Sequence, residues 1–512
     1  METVPTKISE KKKWLPVLFY ILIATTAVGF YSWNSTLFVP TIHDEQSYLF
    51  QAKTFLLGRV VNPPHPERQF FDQYHIINEG VYASKYFPGF AVTLAPFVLL
   101  GVPYLNPLFF YALQLLLIFL LGQELFGRKT AWLAMALASL SPQIIFQTCF
   151  LLGHIPCAVF LLFFYYMFLK SERALGAWRI ALGTLSWGLA FLIRPITAVG
   201  FALSVACYVL YRLFKKEYSD PGKRLLCWLI PLALTTMIYC GYNKAVTGSY
   251  LKAPFDYYAQ IHAPFHRYGF DTWNKYAAEA KGPRVDKWFN EYYHNHTPLI
   301  GLKFMGVRLG VLIEFLFGST WLAFALFALW LIRLRERDPR DWMIFWIFLS
   351  LQVIHIPHWY PGILTFGSNY LYEVTGLILI ALSNALLVNL EKIRLVRWQK
   401  IILTGIIILC AAMSAALLTE LSLYQMGTKR QKLFLLERLT QESSKPKVVF
   451  VRYPPEYNIN LEVFVDNPPD LKGPLIFAHD RGRENFKLIP YFPGYSFYIF
   501  DFPGNALHKL RD

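Results

Sequence analysis

The chain has 512 residues, of which 55% are hydrophobic, 17% aromatic and only 16% charged. Globular domains in water carry about 25% charged residues, so this composition excludes an ordinary cytosolic enzyme, a disordered chain and a fibrous repeat. The sequence therefore predicts a polytopic membrane protein in which most of the length forms bilayer-spanning helices.

The formal net charge of +16 has two explanations. A basic balance is typical of nucleic-acid-binding proteins, but in membrane proteins it reflects lysines and arginines in cytoplasmic loops. Here the basic residues lie in short clusters between apolar runs rather than in one continuous patch. This distribution favours a membrane topology and argues against a nucleic-acid partner.

The amino-terminal segment is polar and basic, with Lys7 and three lysines at 11–13 ahead of an uncharged run at 14–42. This run is too long for the hydrophobic region of a signal peptide, and no small-residue cleavage site follows it. It predicts a first spanning helix whose amino-terminal end faces the cytoplasm.

Further apolar runs follow along the chain, and about 20 apolar residues are enough to cross the hydrocarbon core. They occupy residues 86–123, 130–169, 180–211, 225–243, 315–332, 342–372, 374–390 and 401–419. With the first run, they predict an all-α polytopic fold with about eleven transmembrane helices.

The basic clusters orient these helices, because cytoplasmic loops are rich in Lys and Arg. In one arrangement every short basic loop lies inside; these loops begin at Arg128, Lys170, Arg212, Arg333 and Lys392. The same arrangement leaves 41–106 and 243–312 as outer loops and makes 88–105 an interfacial or re-entrant helix. We therefore expect a multi-pass protein of the plasma membrane with a cytoplasmic amino terminus.

The last part of the chain differs in composition from the rest. Short apolar runs at 448–451, 461–465, 475–478 and 495–502 are bounded by turn residues, a pattern typical of strands. We expect a membrane domain at 1–420 and a small extracytoplasmic α/β domain at 421–512.

Charged side chains recur where the predicted helices meet the outer surface. Asp44 and Glu45 follow the first span, and Lys85 is the last charge before an apolar segment. Carboxylates at membrane depth are costly and mark functional sites, although helix capping by Asp44 explains the acidic pair equally well. Lys85 either anchors the chain at the interface or holds a phosphate.

Other ionisable residues are predicted on the same outer side: His154, Arg194, His355, His358 and Glu373. Interfacial anchoring explains each alone, but the basic loops fixed the topology independently of them, so their convergence favours an outer-face active site. The sequence contains no GxxxxGK[ST], HExxH or GxSxG motif and no tight metal-ligand cluster. We therefore expect neither a soluble-nucleotide enzyme nor a metal cofactor.

Together these residues resemble the membrane glycosyltransferases of the GT-C superfamily, which use polyprenyl-phosphate sugars. The similarity is greatest to the protein O-mannosyltransferase and aminoarabinose transferase branch. The matching segments are Asp44-Glu45, Lys85 with Pro88-Gly89, Gly127-Arg128-Lys129, His154, Arg194-Pro195, Tyr242-Asn243 and Asn369-Tyr370-Leu371-Tyr372-Glu373. The resemblance extends over nearly the whole chain, although each motif is short.

The resemblance implies an inverting transfer of a sugar from a lipid phosphate to a hydroxyl group of a glycan, lipid or protein. Asp44 would be the general base, and Glu45 would orient the acceptor or the sugar. Lys85 and Arg194 would hold the donor phosphate. His154, His358, Tyr372 and Glu373 would line the site. Relatives often have Arg-Tyr where this chain has Asn369-Tyr370, so one phosphate-binding cation is either missing or supplied from elsewhere, with Arg267 and Arg308 as candidates.

Two other functions remain open from the sequence. A flippase or permease for lipid-linked glycans would favour charges at mid-span and symmetry between halves, and the sequence shows neither. A membrane scaffold that binds a partner through its outer tail would tolerate changes at Asp44.

Overall fold

The computed structural model describes residues 7–173, 176–262, 267–271, 296–364, 367–393, 395–441, 446–454, 457–502 and 506–511. These residues are mostly helical, with a small sheet region. Their α-helices, α1 to α16 in chain order, are Lys7–Thr36, His43–Leu56, Pro88–Leu99, Leu105–Phe126, Arg128–Leu140, Pro142–Thr148, His154–Arg173, Ala177–Ile193, Pro195–Phe214, Pro221–Thr247, Pro254–His262, Pro298–Phe317, Thr320–Arg333, Pro339–Ile354, Thr375–Glu391 and Val396–Gln441. The strands, β1 to β8, are Ile76–Glu79, Val81–Ser84, Ile363–Leu364, Gly367–Ser368, Lys447–Arg452, Leu475–His479, Ser496–Asp501 and Ala506–Arg511.

Seven helical segments of the described chain are long and apolar enough to cross a bilayer. They are parts of α1 and α16, the whole of α4, α7, α9 and α10, and the segment Asn369–Glu391 that ends in α15. The pair α12 and α13, bent by 108°, makes an eighth if it forms one span. The prediction of a mostly helical, multi-pass membrane protein is confirmed. The number of eleven stays a prediction, since several expected spans fall on helices of 13 to 17 residues, such as α5 and α8.

Prolines set several of the helix ends. Pro142 begins α6 and Pro195 begins α9, at a position where the missing N–H of proline costs nothing. Arg194 links α8 to α9 with φ −142° and ψ 82°, outside the helical region. The chain thus turns between the two helices at Arg194-Pro195.

The helices sort into a buried centre and a periphery. The segments α4, α7 and Asn369–Glu391 are mostly buried, whereas α1, α10 and α16 are mostly exposed. The peripheral helices present large apolar side chains outward, among them Leu22, Ile238 and Ile408. Exposed apolar side chains around a buried polar centre are typical of a helix bundle surrounded by lipid.

The segment 41–106, which the sequence predicts to be the first outer loop, contains α2, a β1–β2 hairpin and α3. The two strands pair antiparallel around Gly80, whose φ of 74° suits glycine. At the start of α3, a Cβ on Gly89 would lie 2.7 Å from the carbonyl carbon of Leu192 and 2.7 Å from the Ile193 side chain. Only glycine permits this contact, which holds α3 against the end of α8, next to Arg194.

The last strands form a four-stranded sheet in the order β6-β5-β7-β8, with β8 antiparallel to β7 and the other pairs parallel. Its core includes Phe70 and Phe71 of the first outer loop. Three of the four predicted apolar runs coincide with strands, and the run at 461–465 forms short 3-10 turns. The predicted boundary at 420/421 lies inside the 46-residue helix α16, which continues past the last apolar run to Gln441.

Candidate active site

Asp44 lies in the first turn of α2 and keeps a partly open carboxylate. The helix begins at His43 after the extended residue Ile42, so Asp44 is not the N-cap. Its side chain is 39% exposed. Tyr86 Oη donates a 2.5 Å hydrogen bond to Asp44 Oδ1, and His75 Nε2 lies 3.7 Å from Oδ2. The carboxylate is therefore oriented by neighbours and still accessible, as a general base requires.

Lys85 follows β2 and is buried, with only 4% of its surface exposed. Its Nζ lies 4.7 Å from the ring centre of Phe255, 5.0 Å from that of Tyr258 and 5.1 Å from that of Tyr86. No carboxylate of the described residues lies within 4.0 Å of it. Burial lowers the pKa of Lys85 to about 8, and the charge of Asp44 opposes that shift.

Three predicted residues meet in one buried cluster. Glu373 Oε1 lies 3.1 Å from Arg194 Nε and 3.3 Å from His154 Nδ1. Arg194 Nη1 is 3.3 Å from His154 Nε2, which closes the triangle. Glu373 is fully buried, whereas 19% of the Arg194 side chain is exposed. The carboxylate therefore holds the guanidinium in place and leaves part of it accessible.

Tyr370 connects this cluster to a second arginine. The guanidinium carbons of Arg194 and Arg308 lie 5.7 Å and 5.2 Å from the centre of its ring. His355 stacks on the ring at 4.5 Å, and His358 Nδ1 is 3.2 Å from the hydroxyl. Burial, then the charges of Arg308 and Arg194, lowers the pKa of His358 to about 3. His358 is therefore neutral near pH 7, and the arginines carry the positive charge.

Arg308 is the better placed of the two additional cations considered from the sequence. It is fully buried; its Nε donates to the carbonyl of Pro361 at 2.7 Å and its Nη2 to that of Tyr360 at 3.3 Å. Its Nη1 has no hydrogen-bond partner within the described part of the chain. Arg267 lies near Asp256, where burial raises the pKa of the carboxyl group and the Arg267 charge opposes the rise.

Tyr48 links the two halves of the site. Burial and the charge of Asp44 raise its pKa, whereas the charge of Arg194 lowers it, so Tyr48 lies within electrostatic range of both. Its ring stacks on Tyr86 at 4.4 Å and meets the edge of Phe90 at 4.7 Å. Tyr48 thus lies between the group formed by Asp44, Tyr86 and Lys85 and the cluster around Arg194.

Glu45 and Tyr372 lie behind this site rather than in its opening. Glu45 is fully buried and accepts hydrogen bonds from the backbone of Thr41, Ile42 and Leu151. Tyr372 is also fully buried and donates to Gln114 Oε1 at 2.8 Å. Both side chains are hydrogen-bonded to their neighbours, and the role in orienting the acceptor or the sugar that the resemblance implies for Glu45 stays a prediction.

Sequence analysis missed four aromatic residues of the site: Tyr48, His75, Tyr86 and Tyr370. Tyr48 carries a readable signal, because it lies one helical turn after Asp44 and residues at this spacing share a face. Tyr370 belongs to a segment that carries the resemblance, but sequence analysis assigned it no role. His75 carries no signal, since its contacts depend on how distant elements pack. The described residues contain no group of three or more His, Cys, Asp or Glu side chains arranged to hold a metal ion.

No family model and no curated protein sequence matches the chain, but solved structures do. ArnT from Cupriavidus metallidurans bound to undecaprenyl phosphate aligns with a TM-score of 0.56 at 12% identity, over 96% of this chain and 93% of that one. The apo state of the same protein aligns with a TM-score of 0.55 at 11% identity, over 97% of this chain and 94% of that one. The Archaeoglobus fulgidus oligosaccharyltransferase tethered to an acceptor peptide aligns with a TM-score of 0.52 at 12% identity, over 85% of this chain and 62% of that one.

The two ArnT structures align with nearly the whole chain, at only 11–12% sequence identity. At such low identity a structural likeness establishes the fold rather than the reaction. The chain is a multi-pass membrane protein with the fold of the GT-C superfamily of membrane glycosyltransferases.

Proposed function

We propose that the chain transfers a sugar from a polyprenyl-phosphate donor to a hydroxyl group of a cell-envelope glycan, lipid or protein, at the outer face of the plasma membrane. The observation that carries this proposal is an accessible Asp44 carboxylate near a buried Lys85, whose ammonium group has no carboxylate within 4.0 Å among the described residues. The ArnT relative is bound to undecaprenyl phosphate, the class of ligand that such a lysine would hold.

In the proposed reaction, Asp44 takes the proton of the acceptor hydroxyl. The hydroxyl oxygen bonds to the anomeric carbon from the face opposite the phosphate, so the configuration inverts. The bond between that carbon and the phosphate oxygen breaks, and its electron pair leaves with the lipid phosphate. The 2.5 Å hydrogen bond from Tyr86 aims the carboxylate, and positioned bases of this kind contribute about 10²- to 10⁴-fold to rate.

The positive charges of Lys85, Arg194 and Arg308 would stabilise the negative charge that the leaving phosphate gains in this reaction. A sugar phosphodiester carries one negative charge, and the departing phosphate monoester gains most of a second. Lys85 and Arg194 would hold the phosphate, and Arg308, with its unpartnered Nη1, would add charge near the leaving group. Cations fixed in advance where charge develops lower the barrier without reorganisation.

The remaining residues of the site hold these groups in place. His154 and Glu373 fix the Arg194 guanidinium through contacts of 3.3 Å and 3.1 Å. His358 is hydrogen-bonded to Tyr370, whose ring separates the two arginines. We assign Glu45 a positioning role and Tyr372 a packing role behind His154. The proposed chemistry uses no metal ion.

The first test replaces the proposed base. Cells that lack the chain are complemented with the wild type, Asp44→Asn or the control Glu79→Gln, an exposed acid of the same loop. Surface glycans, lipids and proteins are then compared by mass spectrometry. We expect Asp44→Asn to reduce the new modification at least 100-fold and Glu79→Gln to leave it unchanged, at equal amounts of protein in the membrane.

A modification that persists in Asp44→Asn would show that Asp44 is not the base. A chain that moves lipid-linked glycan across vesicle membranes without forming a product would instead be a flippase, and the proposed reaction would be wrong.

A further inference from the structure

The turn between α1 and α2 is held by charged side chains from both ends of the chain. Lys429 Nζ, on α16, donates to the carbonyl of Val39 at 2.6 Å, and Lys432 Nζ donates to that of Pro40 at 3.1 Å. The next two backbone N–H groups, at 41 and 42, donate to Glu45 Oε2 at 3.2 and 3.3 Å. Four consecutive residues of one turn thus each have a backbone group bonded to a buried charge.

The burial of these charges is complete. Glu45, Lys429 and Lys432 all have 0% of their surface exposed. Lys432 also pairs with Asp466 Oδ2 at 3.2 Å. Lys429 lies 5.3 Å from the ring centre of Phe150 and has no carboxylate within 4.0 Å in the described residues. Burying an ammonium group costs several kcal/mol by order of magnitude, and an apolar side chain would fill the same space without that cost. Helix packing alone therefore does not account for the two lysines.

The turn is also strained. Leu37 and Phe38 precede it with φ values of 50° and 53°, in a left-handed region that costs a non-glycine residue about 1–3 kcal/mol. Phe38 stacks on Tyr104 at 4.8 Å, and the hydroxyl of Tyr104 is 3.4 Å from Glu45 Oε1. Such a backbone persists only where the surroundings over-determine it, and strained segments of this kind cluster at functional sites.

We propose that Lys429 and Lys432 are positioning residues that aim Asp44 from the carboxyl-terminal part of the chain. The turn at 39–42 sets the direction in which α2 begins, and Asp44 is the second residue of that helix. Fixing the two carbonyls before the helix therefore fixes the carboxylate relative to Lys85 and Arg194. This inference rests on the proposed function, because it assigns the lysines a role in the same reaction.

The test separates turnover from donor binding. Lys429→Met and Lys432→Met keep the length of the side chain and remove its charge, and Lys400→Met makes the same change at an exposed position of α16. Transfer is measured in complemented cells, and binding of undecaprenyl phosphate is measured on purified protein. We expect each buried variant to lower transfer about 100-fold, the loss that a displacement of about 1 Å causes, with binding within twofold of wild type. Lys429→Arg and Lys432→Arg should restore part of the transfer, because guanidinium also donates to a carbonyl.

Two results would overturn the inference. Wild-type transfer in both methionine variants would show that the lysines do not aim Asp44. A parallel loss of transfer and lipid-phosphate binding would show that they hold the whole outer face rather than this turn. If the wild-type chain formed no product at all while binding the lipid phosphate, the proposed function would fail instead, so the two failures are distinguishable.

Discussion

At the scale of the residue, the buried ammonium group of Lys85 lies in surroundings that would favour the binding of an anion. Its ammonium group is surrounded by the rings of Tyr86, Phe255 and Tyr258, which attract a cation but replace only part of its hydration. Burial consequently lowers its pKa to about 8. A phosphate that enters the site would supply the missing counter-charge, so the free energy lost by burying Lys85 is partly recovered when the donor binds.

This arrangement predicts a pH dependence of lipid-phosphate binding. Below pH 8 the Lys85 ammonium form predominates and binds the anion; above pH 8 the neutral amine predominates. We expect the affinity for undecaprenyl phosphate to fall about tenfold per pH unit between pH 8 and 10, where the phosphate itself no longer titrates. Calorimetric or fluorescence titration of the purified protein measures this directly.

Lys85→Arg is the matched variant, because arginine remains charged over this range. Its affinity should be nearly constant from pH 7 to 10. An equal fall in both proteins would assign the pH dependence to another group and remove Lys85 from the phosphate site.

Sequence position alone indicated Asp44, Lys85, Arg194 and Glu373, because charged residues at the outer ends of apolar runs are few and costly. The contacts between them could not be predicted. Arg194 and Glu373 are separated by 179 residues along the chain and meet at 3.1 Å only through helix packing. The same limit hid the position of Tyr370 between Arg194 and Arg308, although its segment is part of the resemblance.

At the scale of elements, the contact between α3 and the end of α8 decides where Arg194 lies relative to the first outer loop. The contact exists because Gly89 lacks a Cβ, which would fall 2.7 Å from backbone and side-chain atoms of α8. The start of α9 at Pro195 is readable from the sequence, because proline is favoured at the first position of a helix. The break between α5 and α6 at Ser141 is not, because the uncharged run 130–169 continues through Pro142. The docking of α3 on α8 is not readable either, because Pro88-Gly89 reads equally well as an ordinary turn.

Gly89→Ala should therefore push α3 away from α8. We expect it to destabilise the protein by about 1–3 kcal/mol, as overpacking does, and to weaken lipid-phosphate binding through displacement of Arg194. Thermal unfolding in detergent and the binding titration measure the two effects.

Gly241→Ala provides the control, because Gly241 lies in α10 and a Cβ there meets no atom within 4 Å. Alanine is a better helix former than glycine, so this variant should be at least as stable as wild type. Equal stability of both variants would mean that the α3–α8 contact tolerates a methyl group.

At the scale of the whole molecule, the positive-inside pattern makes a prediction about sidedness. Single cysteines replace the exposed residues Glu79, Lys472 and Arg335. We expect a membrane-impermeant maleimide to label positions 79 and 472 in intact cells, and position 335 only after the membrane is opened. The unmutated chain gives the background from its six cysteines. Labelling of position 335 in intact cells would place the proposed site on the wrong side of the membrane.

The contacts of Lys429 and Lys432 also determine when, during synthesis of the chain, the α1–α2 turn can acquire its hydrogen bonds from lysine. Val39 and Lys429 are 390 residues apart, so at translation rates of about 5–20 residues per second the amino-terminal helices wait roughly 20–80 s for their partners. A nascent chain inserted as far as α15 has most of its membrane helices, yet its α1–α2 turn still lacks both ammonium donors. The proposed transfer activity would thereby depend on near-complete synthesis, and a chain truncated before α16 would reach the bilayer without the two lysines that we propose to position Asp44.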